Sequence, residues 1–292
     1  MLCFLVGEGI GRYFGLCDYP LYTESRNYEY IHAPNQKHKI YGNNFATNSW
    51  SMRSKPLDLQ SDTTVILLIG DSVINGGNLT DQDSLASTLL EEWLSQCAKR
   101  TIRVLNISAG SWGPDNAAAY LKEQGTFDAD AMVLVCSSHD AYDNMTFTEV
   151  VGKHPQFPKS QAYFAWEKLW ERGWQHLQQY FRKSTKLTEA PAHDPPFNTG
   201  FASLQFIASK NGIPLVLFLH PSLQELKTNK MAVMAAPIVQ FCDTENISLT
   251  KGLEVGADQS HYRDQIHYTE KGQRFLAETL FPVLWSLIRE ES

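Results

Sequence analysis

Four short, nearly unbroken apolar runs constrain what this chain of 292 residues can become. They are Thr64 to Ile69, Ile102 to Ile107, Ala131 to Cys136 and Ile213 to Leu219. A strand with no polar face must be covered on both sides, which is the setting of a parallel sheet between two layers of helices. Helical periods fill the intervals. Asp83 is placed to cap a helix carrying Leu85, Leu89, Leu90 and Leu94, and Asp115 to cap one through Tyr120 and Leu121. Further helices are expected over Phe201 to Ser209, Ala232 to Phe241 and Thr269 to Ile288. Strands alternating with helices imply right-handed crossovers, so the expected fold is α/β: a three-layer α/β/α sandwich with a central parallel sheet, flavodoxin-like in its winding.

Two regions depart from that rhythm. Residues 1–55 are rich in Tyr, Asn and Gly without a sustained period and are read as an N-terminal arm of extended segments wrapping a domain over 56–292. Within the arm, Leu2 to Val6 form an apolar scrap with neither a basic flank nor a small-residue cleavage site, so it fails as a signal peptide. It is either the stump of a membrane anchor or a short terminus tucked against the domain. The second departure is an insertion at about 150–196 carrying Trp166, Trp170, Trp174, Leu177 and Phe181 at helical spacing. Such a stripe covers a core or presents an aromatic wall to a sugar, an acyl chain or a partner.

A content of 43% hydrophobic and 20% charged residues supports a real core, and a net charge of -7 without a local basic patch argues against nucleic acid as a partner. No stretch approaches the roughly 18 apolar residues of a membrane span, which leaves membrane association to an anchor preceding the arm. Cys3, Cys17, Cys97, Cys136 and Cys242 form no C-x-x-C pair and are expected to remain thiols. There is neither a P-loop nor an H-E-x-x-H zinc motif. His32, His38, His154, His176, His193, His220 and His261 stand without acidic or thiol company at ligand spacing and read as surface or satisfied side chains. A sequon at Asn106 lies inside an expected buried strand, which argues against reading the Asn-x-Ser/Thr set as glycosylation sites.

In open α/β sheets ligands bind beyond the carboxyl ends of the strands, and those ends are unusually furnished here. The first strand is followed by Gly70-Asp71-Ser72, the second by Ala109-Gly110-Ser111-Trp112-Gly113, the third by Ser137-Ser138-His139-Asp140. Asp264-Gln265-Ile266-His267 stands just before the last helix. A serine becomes a useful nucleophile beside a base, and an imidazole serves as that base when a carboxylate fixes its tautomer. Asp264 and His267, three apart on a turn, are spaced for the second task and leave one ring nitrogen for Ser72. Asp71 is assigned a structural role, capping the next helix.

Taken together, these blocks resemble the SGNH or GDSL hydrolases, in the expected order across roughly Val65 to Leu280. A Gly-Asp-Ser triplet alone arises by chance on the order of once in ten such chains, so the weight lies in the joint occurrence. The resemblance implies an SGNH-hydrolase fold and a serine esterase without metal or cofactor. In it Ser72 attacks the acyl carbon, His267 acts as base and then acid, Asp264 orients it, and the backbone N–H groups of Ser72 and Gly110 hold the oxyanion. Asn48-Ser49-Trp50-Ser51-Met52-Arg53 loosely resembles an N-S-x-x-x-R element of envelope-associated members, which favours cell envelope or periplasm over cytoplasm.

The departure lies in the third block, where His139 stands in place of the family's asparagine. An amide donates at every pH, whereas an imidazole donates from a given nitrogen only in one tautomer or when protonated. The expected substrate is a small-molecule or carbohydrate ester, with O-acetyl groups of a carbohydrate the leading case. Alternatives are a polysaccharide O-acetyltransferase using the same triad and a catalytically silent carbohydrate-binding envelope protein. An internal competitor is Ser111, one substitution from a G-x-S-x-G nucleophile elbow.

Overall fold

The computed structural model describes residues 1–58, 63–167, 170 and 196–289. The chain opens with helix α1 (Leu2–Tyr13) and two antiparallel hairpins, β1 (Tyr22–Ser25) with β2 (Glu29–His32) and β3 (Lys37–Ile40) with β4 (Asn43–Ala46). Strand β5 (Thr64–Gly70) leads into the short helix α2 (Ser72–Asn75) and then α3 (Ala86–Ala98), β6 (Ile102–Ser108), α4 (Pro114–Gln124) and β7 (Ala131–Ser137). After the insertion come α5 (Gly200–Asn211), β8 (Leu215–His220), α6 (Leu223–Thr228), α7 (Ala236–Glu245), β9 (Ser248–Lys251) and α8 (Glu270–Arg289). Among the described residues no helix is long and apolar enough to cross a membrane.

The central sheet is five-stranded and wholly parallel, in the order β6-β5-β7-β8-β9. Every residue of β5 and β7 is buried, because their side chains alternate between two cores. Val65, Leu67 and Ile69 join one core with residues of α4, α5 and α7, while Ile66 and Leu68 join the other with residues of α3 and α8. The molecule is therefore the expected three-layer α/β/α sandwich, and the four runs are its four longer strands, β5 to β8, of which β6 lies at one edge. Asn106 is fully buried within β6, its amide donating to the Ile74 carbonyl and the Ser87 hydroxyl.

Several local expectations are corrected. The arm is not merely extended. Leu2 to Val6 fall inside α1, where Cβ atoms on Gly7 and Gly11 would strike Trp166 and Ala165, so that face packs on the insertion. Trp166 donates its indole N–H to the Phe4 carbonyl at 3.0 Å. Trp174, Leu177 and Phe181 lie outside the described residues. The β3–β4 hairpin turns on Tyr41-Gly42, both at positive φ, the paired left-handed geometry of a two-residue loop that matches strand twist. Asp83 does not cap α3: it sits in a 3₁₀ turn, and Leu85 precedes the helix without a side-chain cap. Asp115 lies in the first turn of α4, whose N-cap is Gly113, and its carboxylate accepts from Asn198 Nδ2 and the Met145 N–H. The edge strand β9 was not expected, since one exposed and three half-buried residues make no apolar run.

Candidate active site

Strand order reverses at β5: the chain passes to β6 on one side and then to β7 on the other, opening a crevice at the carboxyl ends. Each of these ends delivers a side chain or backbone group to it. At the end of β5 Asp71 caps α2, its Oδ1 accepting from the Val73 N–H at 2.8 Å, and α2 stops at Gly76 in the left-handed conformation, φ 72°. Ser72 is thereby fixed at the first position of a one-turn helix. A pocket of about 380 Å³ covers it, whose lining includes Tyr22, Gly110, His139, Asp143, Phe157 and His267.

The third participant arrives from the far end of the chain. Asp264 Oδ1 accepts from the backbone N–H groups of Ile266 and His267 at 3.0 and 2.9 Å, folding the four residues into a tight turn. Tyr262 and Tyr268 pair across its base, and the Arg263 N–H donates to the His267 carbonyl. The turn aims the His267 ring so that Nδ1 lies 2.8 Å from Asp264 Oδ2 and Nε2 lies 2.9 Å from Ser72 Oγ. Residues 195 positions apart thus share one hydrogen bond. Burial works to raise the Asp264 pKa, but bonds from the His267 and Ile266 N–H groups and the His267 ring outweigh it, leaving the carboxyl below its usual value. Asp264 is accordingly a carboxylate throughout the neutral range, which makes Nδ1 the protonated nitrogen and Nε2 the one able to take the serine proton.

Gly110 lines the same pocket just after β6, and its carbonyl accepts from the Tyr30 hydroxyl at 3.0 Å. Ser111 also lines it, at φ 57°, but the imidazole contact goes to Ser72. His139 reaches the pocket from the end of β7 with its side chain 42% exposed, Nε2 lying 3.5 Å from Asp140 Oδ1. Beneath it Asp140 is buried and accepts from the Ser137 N–H at 2.7 Å. Burial, reinforced by the charge of Asp71, pushes the Asp140 carboxyl well above its ordinary range, and burial raises Asp71 too. Among the described residues Asp71, His139 and Asp140 form a group whose donor atoms lie within 4.8 Å of one another, close enough to share a cation. Their carboxylates are already engaged by the Val73 and Ser137 N–H groups.

Other histidines meet partners that sequence spacing did not reveal. His38 Nδ1 lies 2.5 Å from Asp18 Oδ1, a residue 20 positions away and so outside ligand spacing, which makes it a satisfied side chain. His32 is buried against Asn75 Oδ1 at 3.4 Å, and His261 Nε2 is 3.7 Å from Asp258. His176 and His193 lie outside the described residues. The arm supplies supports that sequence reasoning assigned no chemistry. Arg53 is fully buried, donating to the carbonyls of Asn75, Gly77 and Thr80 while lying 4.4 Å over the Phe45 ring. It thus ties down the loop that follows Ser72. The signal was the loose N-S-x-x-x-R element, of which Asn48 accepts from the Trp50 and Met52 N–H groups and shapes the turn before Arg53.

No family model matches the chain, and no curated protein matches it. Solved structures to which it is similar include TesA (18% identity, TM-score 0.48, covering 77% of this chain and 99% of that one). A lipase/acylhydrolase from Enterococcus faecalis is 12% identical with a TM-score of 0.46, over 76% of this chain and 96% of that one. A carbohydrate acetylesterase family member from Sinorhizobium meliloti is 14% identical with a TM-score of 0.41, over 77% and 98%. With TM-scores below 0.5, function is left to the site itself.

Proposed function

We propose that the protein is a serine ester hydrolase of the SGNH type, acting through an acyl-serine. The observation that carries this reading is the chain Ser72 Oγ, His267 Nε2, His267 Nδ1, Asp264 Oδ2, with contacts of 2.9 and 2.8 Å. As Ser72 Oγ bonds to the acyl carbon, its proton passes to His267 Nε2, and the imidazolium is stabilised by the Asp264 carboxylate. The same proton then goes to the departing alkoxide. Water, deprotonated by His267, attacks the acyl-serine and releases the acid. The charge that develops on the carbonyl oxygen is met by the N–H groups of Ser72 and Gly110, with His139 the third candidate donor; each such donor is typically worth about 3 kcal/mol.

A pocket of about 380 Å³ over Ser72 has room for an acyl group such as acetate. An O-acetylated carbohydrate is the finer reading, and transfer of the acyl group to a sugar hydroxyl is the alternative fate of the same intermediate. Mass spectrometry after treatment with a fluorophosphonate, together with p-nitrophenyl acetate hydrolysis, tests the reading. The adduct is expected on Ser72; it should vanish, with turnover, in Ser72→Ala and persist in Ser111→Ala. Labelling at Ser111, or none at either serine, would overturn it. Product analysis with an oligosaccharide acceptor separates hydrolysis from transfer.

A further inference from the structure

His139 stands at the third strand end where the resemblance implies an asparagine, and the N-terminal hairpin brings a hydroxyl to the same pocket. Tyr22, first residue of β1, lines the pocket together with Ser72, Gly110 and His267. Its hydroxyl oxygen lies 3.7 Å from where a Cβ on Gly110 would stand. The hydroxyl therefore stands beside the backbone of the residue whose N–H is assigned to the oxyanion.

Tyr30 beside it is differently committed, its hydroxyl donating to the Gly110 carbonyl. Among the hydrogen bonds of the described residues none takes the Tyr22 hydroxyl hydrogen. The ring is held by His32 at 4.2 Å, Phe157 at 5.1 Å and Tyr30 at 6.1 Å, and the backbone by a bond from the Tyr22 N–H to the Pro158 carbonyl.

We infer that Tyr22 is a catalytic residue, its hydroxyl donating its hydrogen, alongside the Gly110 N–H, to the oxyanion of the tetrahedral intermediate. This rests on the acyl-serine reading above. No proton is transferred and no bond to the phenol forms: the O–H and the Gly110 N–H each give a hydrogen bond to the oxygen that gains charge. Burial pushes the phenol pKa up, against the opposing pull of Arg53 and the Gly110 backbone, so the hydroxyl keeps its hydrogen at neutral and mildly alkaline pH.

Tyr22→Phe keeps the ring and its packing and removes only the hydroxyl. With p-nitrophenyl acetate, kcat is expected to fall by about 10- to 100-fold with KM within about twofold of wild type, since the interaction exists only in the transition state. Affinity for methylboronic acid, whose serine adduct is tetrahedral and anionic, should fall by a comparable factor, whereas a purely structural role would not weaken the two in parallel. Unchanged kcat overturns the inference, as does a raised kcat, which would show the phenol obstructing the Gly110 N–H. Absence of turnover and of Ser72 labelling in the wild-type protein would instead overturn the acyl-serine reading.

Discussion

The buried imidazole of His220 donates from Nε2 to the carbonyl oxygen of Ile266 at 2.7 Å, one residue before His267. His220 ends β8 and stacks on Tyr262 with Tyr268 edge-on, so the rigid sheet is coupled directly to the turn that carries His267. The donation requires a hydrogen on Nε2, and burial keeps the ring neutral by pulling its pKa down to about 4.

That depressed value has a consequence for stability. Between the ordinary histidine value of about 6.5 and about 4, the unfolded chain binds a proton at this position that the folded chain refuses. Stability is therefore lost as pH falls through the window, by on the order of 3 kcal/mol from His220. His32, buried beside Asn75 and held to about 3, adds a loss of the same sign. Thermal melts from pH 7 to pH 4 should show a clearly shallower decline for His220→Phe, which retains the stacked ring. A decline identical to wild type would contradict the neutral, buried assignment.

Asp264 and His267 should not be equally costly to remove. Asp264 is about half exposed, so water screens its charge, and its loss chiefly frees the tautomer and orientation of the ring. Asp264→Asn is expected to lower kcat on the order of 10²-fold and His267→Ala by 10³-fold or more. Because the Asp264 carboxyl titrates below its usual range, it stays ionised through the neutral range and its charge remains opposite the ring. Equal losses would refute these roles.

His139 offers a discrimination between donor and bystander. The imidazole is 42% exposed, so any hydrogen bond it gives an oxyanion is weaker than one in an enclosed hole. His139→Asn should retain kcat, whereas His139→Ala should lower it by about tenfold, less than the 10²- to 10³-fold typical of an enclosed donor. If both variants match the wild-type protein, His139 has no part in holding the oxyanion.

The inner strands were legible because residues buried on two faces must be apolar without interruption, as Thr64 to Gly70 and Ala131 to Ser137 are. The pairing of Asp264 with His267 was legible because a tight turn places the two side by side within four residues. Tyr22 and Arg53 could not be read in the same way. Their roles come from where the hairpins dock, a tertiary property that leaves no period in a segment as short as β1. His220 was read as a satisfied or surface residue, and it is satisfied in part; its partner is a backbone carbonyl 46 residues away, which no side-chain motif announces.

The span between Ser72 and His267 sets a limit on when the molecule can act. On the acyl-serine reading, a chain still emerging from the ribosome can lay down β5 through β9 and present Ser72 as nothing more than an ordinary alcohol, because His267 is encoded after the last strand. On that reading, reactivity is withheld until the turn at 264–267 reaches Ser72, and a product truncated before residue 264 would be inert however well its sheet had formed.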